Sequence, residues 1–256
     1  MGSIAEVVKQ VIGGPSDFGV GWIIILLAAL IGIGVAIFSG SSFIINKLCE
    51  KSRLLEVVSR LDTGAHISYF ISMLGTPVSI NQSGTDEEYI FVNKYCYVQS
   101  VTDQNGKVLL YSVTTRRGDF NPSLSLDYTK LGIRLGKTRF SDVGTPCSRI
   151  YNGDHGAITF YSESYYHGLD AGYRTIFFSF NPNGYGKIGI VPRSWIIGGH
   201  PDEGQDMDMI VKKFREETLV NTYTVSTFMG PDGHKDVDNL TIFGPKSYQV
   251  RVFKKL

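Results

Sequence analysis

From Phe18 to Asn46 the chain runs 29 residues without a charge, bounded by Asp17 and Lys47, and its centre, Trp22 to Phe38, is almost wholly apolar. A helix rises about 1.5 Å per residue, so roughly 20 residues cross a hydrocarbon layer about 30 Å thick. The pattern predicts a transmembrane helix over residues 18–46. A secretory signal starts with a basic stretch and carries a shorter apolar run, whereas Glu6, Lys9 and Asp17 precede this one. A lipoprotein signal would need a cysteine close behind the run, and the first is Cys49, after Lys47.

Inside the span, Ala28, Gly32, Ala36 and Gly40 recur every four residues and form one ridge of small side chains. Such a ridge lets a second helix approach closely and is a candidate helix–helix interface for a homo-oligomer, although Gly and Ala are common in membrane helices anyway. In residues 1–17, Ile4, Val7, Val8, Val11 and Ile12 outline a short amphipathic helix that ends at Gly13-Gly14-Pro15 and is expected to lie in the lipid interface. Lys47, Lys51, Arg53 and Arg60 make residues 47–60 a basic juxtamembrane helix, against only Lys9 and the amino terminus on the other side. Basic flanks stay cytoplasmic, which predicts a single pass through the inner (plasma) membrane with the large C-terminal part in the cytoplasm. Cys49, Cys96 and Cys147 cannot all pair, in keeping with a reducing compartment.

Beyond residue 60 the pattern changes to short runs of β-branched and aromatic residues punctuated by turns, a strand-rich composition. Gly75-Thr76-Pro77 recurs as Gly144-Thr145-Pro146, and in the same register Ile71 matches Phe140, Leu74 matches Val143, Phe91 matches Phe160 and Tyr97 matches Tyr166. Asn105-Gly106 corresponds to Asn183-Gly184 if the second copy carries an insertion around Gly168 to Gly172. Each copy reads as a helix stopped by Gly-Thr-Pro (Ile67 to Leu74; Phe140 to Val143), since proline cannot continue the ladder. Strands follow over Glu88 to Val98 and Lys107 to Thr114 in the first copy, and over Ala157 to Tyr166 and Tyr173 to Phe180 in the second. The expected fold class is α+β, an N-terminal transmembrane helix followed by tandem small antiparallel-sheet-plus-helix units at 61–118 and 119–193. Residues 194–256 add a helix over Met207 to Leu219 and strands over Val220 to Met229, Leu240 to Phe243 and Ser247 to Phe253.

A helix ending in Gly-Thr-Pro ahead of an antiparallel sheet with a glycine turn resembles the α+β repeat of the SmpA/OmlA-type lipoproteins that assist β-barrel assembly. The resemblance covers residues 61–114 and 131–189 and implies a duplicated copy of that unit. This chain differs in carrying a membrane helix in place of a lipidated cysteine, so a periplasmic location and barrel assembly do not carry over. The whole chain also looks like enterobacterial single-pass membrane proteins, a resemblance that implies no activity.

A net charge of +1 and 19% charged residues give no electrostatic case for nucleic acid. His200, Asp202, Glu203, Asp206 and Asp208 are the densest polar group and the candidate metal ligands, with hard oxygen donors for a divalent cation. Their spacing matches no EF-hand and no His-Glu-x-x-His helix, and acids before Met207 also suit a helix amino terminus. Gly184-x-Gly186-x-x-Gly189 has the dinucleotide spacing, but Ile190-Val191-Pro192 behind it cannot start the helix which that motif needs, so a turn is expected. His155 and His167 read as surface histidines, and Cys96 and Cys147 as small packing groups. The run Tyr161, Tyr165, Tyr166, Tyr173, Phe177, Phe178 and Phe180 reads as core plus one sheet face. No cofactor is expected. These readings favour a non-enzymatic membrane protein, in contact with lipid, whose β-rich part binds a protein or small ligand. The alternatives are a membrane-disturbing effector that oligomerises through its span and a metal-dependent hydrolase centred on His200 and Asp206.

Overall fold

The computed structural model describes residues 50–83, 85–124, 132–144, 147, 149–154, 159–167, 173–191, 206–227 and 243–250. The predicted span and its ridge of Ala28, Gly32, Ala36 and Gly40 lie outside them, as does the amphipathic segment before it. Among the described residues no helix is long and apolar enough to cross a membrane.

Among the described residues eight strands build one antiparallel sheet: β1 (Ser79–Ser83), β2 (Asp86–Val92), β3 (Cys96–Thr102), β4 (Val108–Thr115), β5 (Arg149–Asp154), β6 (Thr159–His167), β7 (Arg174–Phe180) and β8 (Thr222–Ser226). Helices occupy residues 50–59 (α1), Ile67–Leu74 (α2), Met207–Glu217 (α3) and Ser247–Val250 (α4). The α+β class expected from the sequence is present. Across the sheet the order is β1-β2-β3-β4-β8-β7-β6-β5. The strands of the two expected units therefore belong to one continuous sheet, joined by β8 from the C-terminal segment. β8 pairs with β4 (Thr114↔Thr222 to Leu110↔Ser226) and with β7 (Ser179↔Thr222 to Thr175↔Ser226). Without it β4 and β7 would each present a row of unpaired N–H and C=O groups.

Local signals set several boundaries. The His66 ring nitrogen Nδ1 accepts the Ser68 amide at 3.1 Å and caps α2. At the other end Gly75 adopts φ +88 and its N–H closes on the Ile71 carbonyl at 2.9 Å, a positive-φ exit that glycine takes without steric cost. The run Glu88 to Val98, expected as one strand, is two. Asn93 Oδ1 accepts the Tyr95 amide at 2.8 Å, and the Asn93 N–H reaches the Cys96 carbonyl at 3.0 Å, folding a tight turn between β2 and β3. Ser247 to Phe253, expected as a strand, has a helical turn at Ser247–Val250. This segment lies on a sheet face, where no ladder partner is available, so its backbone is satisfied locally: Gln249 N–H bonds the Lys246 carbonyl, and Lys246 N–H bonds Gln249 Oε1.

Side chains alternate between faces along a strand, and the two faces differ in chemistry. One carries Phe91, Val98, Val113, Tyr223 and Phe178 in one cross-strand row and Tyr89, Tyr111, Val225, Ile176 and Tyr165 in the next. These pack with Leu54 and Val58 of α1, Phe70 of α2, Phe120, Phe140 and Phe214 of α3 into the main core. The opposite face is mixed: Ile90, Gln99, Ser112, Thr224 and Phe177 form one row and Tyr97, Thr114, Thr222, Ser179 and Ser162 another, all buried.

Candidate functional site

Two features beyond ordinary packing stand out, a buried ion pair on the core face and a covered polar strip on the other. The first centres on Glu163 of β6, whose side chain has no exposed surface. Its position between Tyr161 and Tyr165 follows from the period of two, which puts all three on the core side. Tyr161 and Tyr165 donate their hydroxyls to Oε1 and Oε2 respectively, each at 2.6 Å. Arg215 of α3 sets Nε 2.8 Å from Oε1 and Nη2 3.3 Å from Oε2, and Nη2 also donates to the Phe140 carbonyl at 3.0 Å. The Tyr161 ring sits edge-on between Phe140 and Phe214, with both centroids at 4.8 Å.

Electrostatics follow from that geometry. Burial, and then the neighbouring Glu163 charge, push both tyrosine hydroxyls well above their ordinary values. Burial pulls the Arg215 guanidinium down, but Glu163 outweighs it and the pKa ends above the ordinary value. The half-buried Cys147 thiol is raised by burial and then by Glu163, so it stays protonated at neutral pH and is a poor nucleophile. Each Glu163 oxygen already meets one hydroxyl and one guanidinium nitrogen. The partners of this carboxylate thus come from β6 itself and from α3. Its role in this arrangement is to fasten α3 to the sheet.

The second feature is the segment Phe243–Val250 laid across this mixed face. Phe243 packs with Leu110 and Phe177, and its ring lies 4.6 Å from that of Phe160. Val250 packs with Ile90 and Tyr97. Between these anchors the contacts are polar. Asn181 Nδ2 donates to the Phe243 carbonyl at 2.6 Å and to the Pro245 carbonyl at 3.1 Å, and Asn183 Nδ2 also reaches Pro245 at 3.1 Å. Ser247 Oγ donates to Asn183 Oδ1 at 3.0 Å. Gln249 Nε2 donates to Glu88, which also accepts from Gln99. Gly244 lies so close to the Thr114–Thr222 hydroxyl pair that a Cβ there would stand 2.6 Å from Thr114 Oγ1.

Of the predicted metal ligands, His200, Asp202 and Glu203 lie outside the described residues, as does His155. Asp206 is the N-cap of α3, its Oδ1 accepting the amides of Asp208 at 3.0 Å and Met209 at 3.3 Å, and Asp208 is exposed in the first turn. Among the described residues no group of three His, Cys, Asp or Glu is placed to hold a metal. Gly184 and Gly189 are close-packing positions: a Cβ would stand 2.8 Å from Thr114 Cγ2 at the first and 2.9 Å from Glu217 Cβ at the second. Cys96 is fully buried in the main core. Sequence reasoning passed over Glu163 and Asn181. The available signal for Glu163 was an acid at core-facing parity inside an aromatic strand, which demands a buried partner.

No protein-family model and no curated protein matches the sequence. Among solved structures, a cysteine-rich secretory protein of Staphylococcus aureus is similar at 10% identity and a TM-score of 0.33. The match covers 65% of this chain and 44% of that one, less than half of the solved protein's length. A likeness of that size carries no argument about fold or function.

Proposed function

We propose that the chain is a membrane-anchored, non-enzymatic binding protein whose β-rich part engages a protein or small ligand. The uncharged run Phe18 to Asn46 supports the anchor, and the basic residues behind it support a cytoplasmic body at the inner membrane. The observation that carries the binding role is the chemistry of the sheet. Its buried acid holds α3 to the sheet, while beside the opposite face the side-chain amides of Asn181 and Asn183 bond the backbone carbonyls of Phe243 and Pro245, the kind of contact by which a peptide chain is read. Fractionation and affinity capture of the full chain in mild detergent test the proposal. Membrane association together with a reproducible partner or oligomer is the expected result. A chain that stays in the supernatant without detergent, or that captures nothing and remains monomeric, overturns it.

A further inference from the structure

We infer that the cleft between α1 and α2 takes the phosphate headgroup of an anionic membrane lipid, with Arg53 as its principal cation. This rests on the membrane-anchored reading and gives the body a second, non-covalent hold on the leaflet that anchors it.

The cleft encloses about 140 Å³ and is lined by Arg53, Glu56, Val57, Arg60, Ser72 and Met73. Arg60 pairs with Glu56, both of them exposed. One positive charge is therefore left over, that of Arg53, which is exposed and meets no hydrogen-bond or ion-pair partner among the described residues. A guanidinium with unused donors matches a phosphate in both charge and geometry. Ser72 turns its hydroxyl inward and donates to the Tyr69 carbonyl at 2.7 Å, so the phosphate's partner is the arginine. Val57 and Met73 add apolar side chains beside the charge, as the boundary between a headgroup and its acyl chains requires. Tyr69 stands one turn before Met73 on the same side of α2 and is 37% exposed, and tyrosine favours that boundary.

Covalent connection selects a lipid over a soluble anion. Arg53 follows Asn46, the last residue of the uncharged run, by seven positions, a reach that no backbone extends beyond about 25 Å. One basic residue near an anionic surface raises affinity about fivefold. Two supply roughly 25-fold, well short of the roughly thousandfold that millimolar capture of a free anion requires. They suffice for a body already tethered within reach of the headgroups, where the second contact is intramolecular.

The test places the full chain in phosphatidylcholine nanodiscs that carry photoactivatable phosphatidylglycerol, with photoactivatable phosphatidylcholine in parallel discs, and maps the crosslinks by mass spectrometry. The wild-type chain should be labelled over residues 53–60 and 69–73 about fivefold more by phosphatidylglycerol than by phosphatidylcholine. Arg53→Gln should remove that preference, Arg53→Lys should keep most of it, and excess inorganic phosphate should leave it unchanged. Equal labelling of the wild-type chain by the two lipids, or an undiminished preference in Arg53→Gln, overturns the inference while retention of the chain in the discs leaves the anchored reading standing. Displacement by inorganic phosphate also overturns it and makes the cleft a site for soluble phosphate. A chain that does not enter the discs overturns both.

Discussion

Arg215 closes on Glu163 with Nε 2.8 Å from Oε1, joining α3 to β6 across 52 positions of sequence. The acid is sealed from water while the guanidinium remains 30% exposed. Their loss is therefore unequal. Arg215→Ala strands a buried carboxylate and should cost about 3 kcal/mol, at the lower end for a broken buried pair because the arginine is partly solvated. Glu163→Gln leaves the arginine a route to water and should cost less. The two denaturation midpoints, and the coupling between them in a double-mutant cycle, check this; equal costs for both variants would argue against it.

Gly75 and Gly244 separate backbone strain from crowding. Both have a left-handed φ, +88 and +84, but a Cβ at Gly75 meets nothing within 4 Å while one at Gly244 would press on Thr114 and Asn181. Gly75→Ala should cost about 1–3 kcal/mol, the conformational term alone. Gly244→Ala should cost more and loosen the segment from the sheet, read as faster amide exchange over 243–250. Equal behaviour of the two variants would remove Gly244 as a point of close approach.

Alkali should unfold this protein through its buried acids. The Cys96 thiol is pushed up to about 12 by burial, and Tyr89 up to about 12 by its hydrogen bond to Glu87 and then by burial. Burial raises Tyr161, Tyr165 and Tyr223 as well. Each group holds its proton more tightly folded than unfolded. The contribution is therefore fully present below the unfolded values of 9.0 for the thiol and 10.0 for tyrosine, and it is lost as pH rises toward 12. The urea midpoint should fall as pH rises from about 9 toward about 12, with tyrosinate absorbance appearing alongside loss of tertiary circular dichroism. A midpoint that holds steady across that interval refutes the assignment.

Asp206 caps α3 through its carboxylate oxygen. Asp206→Ala should cost about 1 kcal/mol, and Asp206→Asn almost nothing, since asparagine caps as well. If Asn costs as much as Ala, the carboxylate is held for its charge, and calorimetry with zinc, manganese or magnesium would follow.

How far such features could be read in advance depended on their range. Helix α2 was expected over Ile67 to Leu74 and occupies those residues, because its cap, its apolar spacing and its Gly-Thr-Pro stop all lie within a dozen positions. The Asn93 turn was missed because one Asx turn inside an apolar run leaves no break in the hydrophobic pattern. The Ser247 segment was misassigned because Tyr248, Val250 and Val252 alternate as a strand does, while the position that segment takes on the sheet denies it a partner.

The residue pattern by itself determined the α+β composition, α2 and α3, and the alternating strands, since helical and strand periods and chain-breaking residues act over one or two turns. Only the tertiary structure decided that β8 stands between β4 and β7, that Arg215 meets Glu163, and that Phe243–Val250 covers the face opposite the main core. Those are pairings between distant positions. They arise when strand edges, a buried charge and a hydroxyl-lined surface each find a complementary group, which the composition of either partner alone does not specify.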